Sequence, residues 1–101
     1  MRRRDPAPSQ DEAEALALMA LTFLAEEPMR LGRFLSLTGI EPEELREAAD
    51  APPTLIAILA HLMGDESLLL MFAAEKGIAA ETLVAAHARL TRPAMGGKLY
   101  D

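Results

Sequence analysis

Residues 38–45, TGIEPEEL, return 38 positions later as residues 76–83, KGIAAETL. Both octets carry Gly-Ile, then an acid three residues on, then Leu two residues after the acid. Gly39 fits the end of a helix, where a left-handed residue closes the last turn and glycine carries no steric penalty. Ile40 then packs back on Leu35 and Phe34, the contact of a Schellman end. Ile40 also precedes the next helix, with Leu45 one turn inside it, the pattern of a hydrophobic staple. Glu43 and Glu44 fall in that helix's first turn, where negative charge is favoured by ~0.3–1 kcal/mol each. Gly77, Ile78, Glu81 and Leu83 take the same roles in the second octet, so each octet is a helix-to-helix corner.

The echo extends beyond the octets. The same 38-residue shift sets Leu21 on Leu59, Leu24 on Leu62, Leu31 on Leu69, Phe34 on Phe72 and Ala48 on Ala86. Coincidences concentrated at apolar and glycine sites argue for two copies of one supersecondary unit. The expected fold is therefore all-α, a compact bundle of five to six helices made of two tandem three-helix units. In the first unit, residues 10–49, helices are expected over Gln10–Ala25, Pro28–Thr38 and from Pro42 to near Ala49. Ser9 and Glu12 form a capping box for the first, and Pro28 opens the second. Asp50-Ala51-Pro52-Pro53 reads as a break. The second unit, residues 54–90, repeats the scheme with helices over Thr54–Met63, from Asp65 as N-cap to Lys76, and from Ala80 to about Leu90. Residues 1–9 and 91–101, the latter containing Pro93 and Gly96-Gly97, are expected to be flexible tails.

Composition agrees. In 101 residues half are apolar, with no Cys, no Trp, one Tyr and three Phe, enough for one modest core of Leu, Ile, Met and Ala. No disulfide or thiolate chemistry is available. The basic opening MRRRDPAPSQ lacks the apolar run of a signal peptide, and the apolar stretch ALALMALTFLA is too short for the ~20 residues of a membrane span. A cytoplasmic protein with no membrane association is the expectation.

Residues 11–81 hold fourteen acids against four bases, Arg30, Arg33, Arg46 and Lys76, a charge of −10. Such a body repels phosphates. If Gly39 were the turn of a helix-turn-helix, the groove-reading helix would be EPEELREAAD, with five acids and one base. The second copy's AAETLVAAHARL offers His87 and Arg89. A DNA-binding regulator is kept as the alternative reading, with nucleic acid disfavoured by charge. His61 and Asp65 are four apart, but Gly64 between them is expected to end the helix, and His61 stands where the first copy has Phe23, which favours a packing role. Two histidines and no cysteine make a closed zinc site a poor expectation. Ser9, Ser36 and Ser67 are the only serines, and no nucleophile elbow or phosphate loop is present. No catalytic, cofactor-binding or metal-binding residue is therefore nominated, and no cofactor is expected.

The copies differ informatively. Where the first has Arg30, Gly32, Arg33 and Ser36, the second has Leu68, Leu70, Met71 and Ala74; where the first has Arg46 and Glu47, the second has Val84 and Ala85. The second unit lacks a polar outer face. Either the first unit's helices cover that surface within the monomer, or Leu68, Met71 and Val84 mark an interface with a partner protein or a second copy. The expected function is accordingly non-enzymatic, a protein-interaction or structural module.

The Ala/Leu-rich first helix, Leu31-Gly32-Arg33-Phe34-Leu35, Gly39-Ile40 with Leu45, and Asp65-Glu66 followed by Leu69 and Phe72 carry a resemblance. From about Glu12 to Leu90 the chain resembles domain-of-unknown-function family 3572, a family of small bacterial proteins. The resemblance implies a bacterial, all-helical, cytoplasmic protein. It assigns no role to any residue.

Overall fold

The computed structural model describes residues 7–92. The described chain forms six helices and no strand: α1 (Gln10–Ala25), α2 (Pro28–Thr38), α3 (Pro42–Glu47), α4 (Pro52–Met63), α5 (Glu66–Lys76) and α6 (Ala80–Thr91). The all-α expectation holds. Residues 1–6 and 93–101, most of the two expected tails, lie outside the described residues. Of the expected N-terminal tail, Pro8 is buried and Ser9 caps α1.

Local chemistry sets the boundaries. The Ser9 hydroxyl accepts from the Glu12 N–H at 3.1 Å while the Glu12 carboxylate accepts from the Ser9 N–H at 2.8 Å, the reciprocal capping box. Gly39 and Gly77 close α2 and α5 at φ 77° and 67°, and each donates its N–H to the carbonyl four residues back. The corners then diverge. Ile78 donates to the Ala73 carbonyl at 2.9 Å, the long bond of a Schellman end. Ile40 donates instead to the Thr38 hydroxyl at 3.3 Å, and that hydroxyl donates to the Phe34 carbonyl at 2.8 Å. The Schellman end expected at Gly39 is thus replaced by a bridge through Thr38, which Lys76, the counterpart of Thr38, has no hydroxyl to repeat at Gly77.

Two other boundaries depart from the sequence expectation. Pro52 and Pro53 do not precede α4; they form its first turn, where a missing N–H costs nothing, and the Leu55 N–H donates to the Ala51 carbonyl at 3.0 Å. α3 stops at Glu47, and Ala48, at φ −130°, has left the helix. Gly64 ends α4 in a right-handed conformation, φ −83°. The reversal there comes from Asp65, whose carboxylate accepts from the Leu68 N–H at 3.2 Å to start α5, bent 104° from α4.

α1, α4 and α6 pack mutually. The first turns of α1 bury only small residues, Ala13, Ala17 and Ala20, before the larger Phe23 and Leu24; the helices packed on it bury Leu55, Ile58, Leu59 and Leu62 from α4 and Leu83 and Ala86 from α6. Alanine on one helix lets the backbones close on the larger side chains of the other two. Each fully buried Leu or Ile contributes ~1.5–3 kcal/mol relative to exposure. The domain measures 41 × 35 × 19 Å, two helix layers deep.

α2 packs on α1 and α4, and α5 on α4 and α6. Two aromatic pairs knit the halves together. Phe23 of α1 meets Phe72 of α5, and His61 of α4 meets Phe34 of α2, both edge-on with ring centroids 5.2 Å apart. The 38-residue shift turns one pair into the other. α3 and α6 do not correspond in this way: α6 lies along the α1–α4 seam, whereas α3 is anchored through Leu45, its only buried residue.

Candidate functional site

α2 and α5 stand apart at the surface, and the gap between them is a groove of ≈500 Å³. One wall is α2, contributing Met29, Arg30 and Arg33; the other is α5, contributing Leu68 and Met71; His61 of α4 lies between. The groove continues toward Leu37, Gly64 and Glu66. The walls differ in chemistry because the 38-residue shift sets Arg30 against Leu68 and Arg33 against Met71: the same two positions are cationic on one helix and apolar on the other.

Arg30 braces the site. Its guanidinium lies 4.1 Å from the Phe23 ring centroid, and Nη1 donates to the Phe23 carbonyl oxygen at 3.0 Å. That carbonyl belongs to the last turn of α1, where it otherwise accepts only a long 3.3 Å bond from the Glu26 N–H and where a cation is favoured. Nη2 reaches across the groove to the Met71 sulfur at 3.3 Å. Both lips are apolar and accessible: Met29 is 83 % exposed and Met71 47 %.

His61 is half-buried, with its edge against Phe34. Its Nε2 is buried without a hydrogen-bond partner. Burial holds the imidazole below its ordinary pKa of 6.5; Asp65 opposes that shift and Arg33 adds to it. His61, Asp65 and Ser67 all line the groove, but no hydrogen bond joins them. The Asp65 carboxylate is engaged as the α5 cap. The sequence reading nevertheless placed His61 well: it fills the packing position that Phe23 holds in the other half.

Of the three residues nominated as an interface, Leu68 and Met71 share the groove. Val84, on α6, is 47 % exposed and is not among the groove residues. Leu68 is half-buried against the core while Leu70 is 52 % exposed, so the apolar surface of the second half is covered only in part. Met29, Arg30, Arg33 and His61 were not nominated. Their signal was present in the alignment, since Arg30 and Arg33 are the counterparts of Leu68 and Met71, but their convergence depends on how the halves pair.

A second, smaller hollow of ≈260 Å³ lies beneath α3, lined by Leu21, Leu31, Leu35, Pro42, Leu45 and Arg46 among others. α3 itself presents Glu43, Glu44 and Glu47 to solvent, and its one base, Arg46, is paired with Glu43 at 3.1 Å. In the other half, α6 is packed against both α1 and α4, and His87 and Arg89 on it are half-buried. Among the described residues no three His, Asp or Glu side chains converge as metal ligands, and no single helix is long and apolar enough to cross a membrane.

No curated protein and no solved structure matches the chain. A family model described as "Protein of unknown function (DUF3572)" matches residues 10–93, most of the sequence. The chain is therefore a member of the DUF3572 family.

Proposed function

We propose that this protein is a non-enzymatic interaction module whose binding surface is the α2–α5 groove. The observation that carries this reading is the pair of methionines on the lips of the groove, Met29 and Met71, 83 % and 47 % exposed. Accessible methionines beside a hollow are a liability for solubility and suit a surface that closes on another protein, because their flexible thioethers adapt to the shape they meet. Leu68 in the groove adds apolar area, and the arginines of α2 set a polar edge, the arrangement of an apolar centre with a charged rim.

The test is a tagged full-length chain recovered from its native cells, compared with Met71→Asp, and sedimentation of both over a range of concentrations. Met71 is exposed, so the substitution leaves the core intact. A co-purifying protein, or a dimer, that is present with the wild type and absent with Met71→Asp supports the groove as the interface. A monomeric wild type whose associations are unchanged by the substitution rejects it.

A further inference from the structure

The groove interface leaves the chemistry of its occupant open, and the two walls specify it. We infer that the segment docked between α2 and α5 is an amphipathic helix of a partner protein carrying a carboxylate between its apolar anchors. This inference rests on the groove being an interface.

Length comes first. α2 and α5 are 11 residues each, about 16 Å at 1.5 Å per residue. That accommodates roughly three turns of a docked helix, enough for anchors at positions i, i+3 or i+4, and i+7. The α5 wall, with Leu68 and Met71, offers apolar surface to such anchors.

Charge comes second. Residues 11–81 contain only four bases, and two of them, Arg30 and Arg33, face this one groove. Among the described residues the single ion pair is Arg46 with Glu43. Arg33 thus has no carboxylate within 4.0 Å among the described residues, although residues 11–81 contain fourteen acids. Arg30 is anchored to α1 through Nη1, while its Nη2 rests on a thioether sulfur. Sulfur is a weak acceptor, so that nitrogen gains when an oxygen anion replaces it. Two guanidinium groups one helical turn apart, each with donors to spare, fit a carboxylate by charge-assisted hydrogen bonds. Asp65 lines the groove as well, with its carboxylate taken up as the α5 cap, and Glu66 lies on the groove's continuation. Both disfavour a partner acid at the start of α5 and leave the α2 side, with Arg30 and Arg33, as the place for it. A second copy is the poorer occupant, because two chains of net charge −6 repel one another at low salt.

The experiment is selection of helical dodecapeptides from a random displayed library on the immobilised full-length chain. Recovered peptides are then titrated against the wild type, Arg33→Glu, Met71→Asp and, as a charge-matched control, Arg46→Glu. The inference expects peptides with Asp or Glu three or four residues from Leu, Ile, Phe or Met. Their affinity falls at least tenfold on Arg33→Glu and on Met71→Asp, is unchanged on Arg46→Glu, and is recovered on Arg33→Glu when the peptide's acid becomes Lys. Peptides that need Met71 but show no acid preference and ignore Arg33→Glu overturn the carboxylate while leaving the groove as an interface. Peptides sensitive to neither substitution, or no enrichment at all, overturn both. A wild-type dimer in sedimentation that Arg33→Glu dissociates overturns the partner helix in favour of a second copy.

Discussion

Replacing His61 by Phe, the residue at its counterpart position 23, should stabilise the fold. The Phe23–Phe72 and His61–Phe34 pairs have the same 5.2 Å centroid separation, so a phenyl ring at 61 meets an aromatic edge already placed for it. The substitution removes Nε2, which is buried without a partner. An unsatisfied buried polar atom costs ~1–3 kcal/mol. Because His61 is only half-buried, the low end applies, and we expect a gain of about 1 kcal/mol, a rise in Tm of ~4–8 °C for a domain of this size. The gain depends on pH. Burial holds the folded imidazole below 6.5, so between that lowered value and 6.5 the unfolded chain binds the proton more readily than the folded one. Stability from the neutral His61 is therefore full above pH 6.5, declines as pH falls toward the folded pKa, and levels off below it. The phenylalanine variant has no such loss, so the gap between the two proteins should widen from pH 7.5 to pH 5.5. Denaturant unfolding followed by circular dichroism at both pH values measures it. If the variant is no more stable at either pH and the gap stays constant, Nε2 is satisfied in solution and His61 is merely a packing residue.

Further expectations concern the frame. Gly39→Ala and Gly77→Ala should each cost ~1–2 kcal/mol in thermal unfolding, since a Cβ there meets no atom within 4 Å and only the left-handed backbone is strained; Gly32→Ala, in mid-helix with equally open space, should gain ~0.5–1 kcal/mol. Arg30→Lys should lose ~1 kcal/mol despite keeping its charge, because one ammonium cannot both stack on Phe23 and bond its carbonyl as the planar guanidinium does. Leu83→Ala, at a fully buried position of α6, should cost ~3–5 kcal/mol, and Leu45→Ala on the peripheral α3 nearer ~2 kcal/mol, compared by urea midpoints. Equal costs would mean that α3 is as firmly docked as α6.

Local signals made the helices legible. Ser9 with Glu12, Pro28, Gly39, Asp65 and Gly77 are side-chain and backbone devices that act within four residues, and each ends or begins a helix where the sequence indicated. The misreadings were also local ambiguities. Pro52-Pro53 suits both a break and a first helical turn, and only the Ala51 carbonyl, taken by Leu55, distinguishes them. The groove was less accessible. Arg30 and Arg33 have the spacing of a solvated helix face, which is how α2 reads in isolation. Their meaning depends on α2 and α5 facing one another across His61, a relation between residues more than 30 apart that no short-range pattern encodes. Met71 was legible because a long apolar side chain at a position held by arginine in the other half is anomalous in either setting. Val84 met the same criterion, yet α6 carries it away from the groove.

The seam between α1 and α4 has room for one crossing helix, and the chain contains two candidates for it. An ideally symmetric duplication would set α3 and α6 competing for that vacancy, and the loser's apolar stripe would be left to search for another molecule's seam. Exchange of third helices between chains would then be an open route to swapped dimers. Pro52 and Pro53 break the tie. They start α4 four residues after α3 has ended, so the first contender, Pro42–Glu47, has six residues and little chain into which to lengthen, while α6 runs for twelve and reaches both seam helices. Each chain fills its own seam because its halves are unequal at one joint. Restoring length to α3, by replacing both prolines and extending its apolar face, is thus the alteration most apt to turn this domain from a self-contained unit into an exchanging pair.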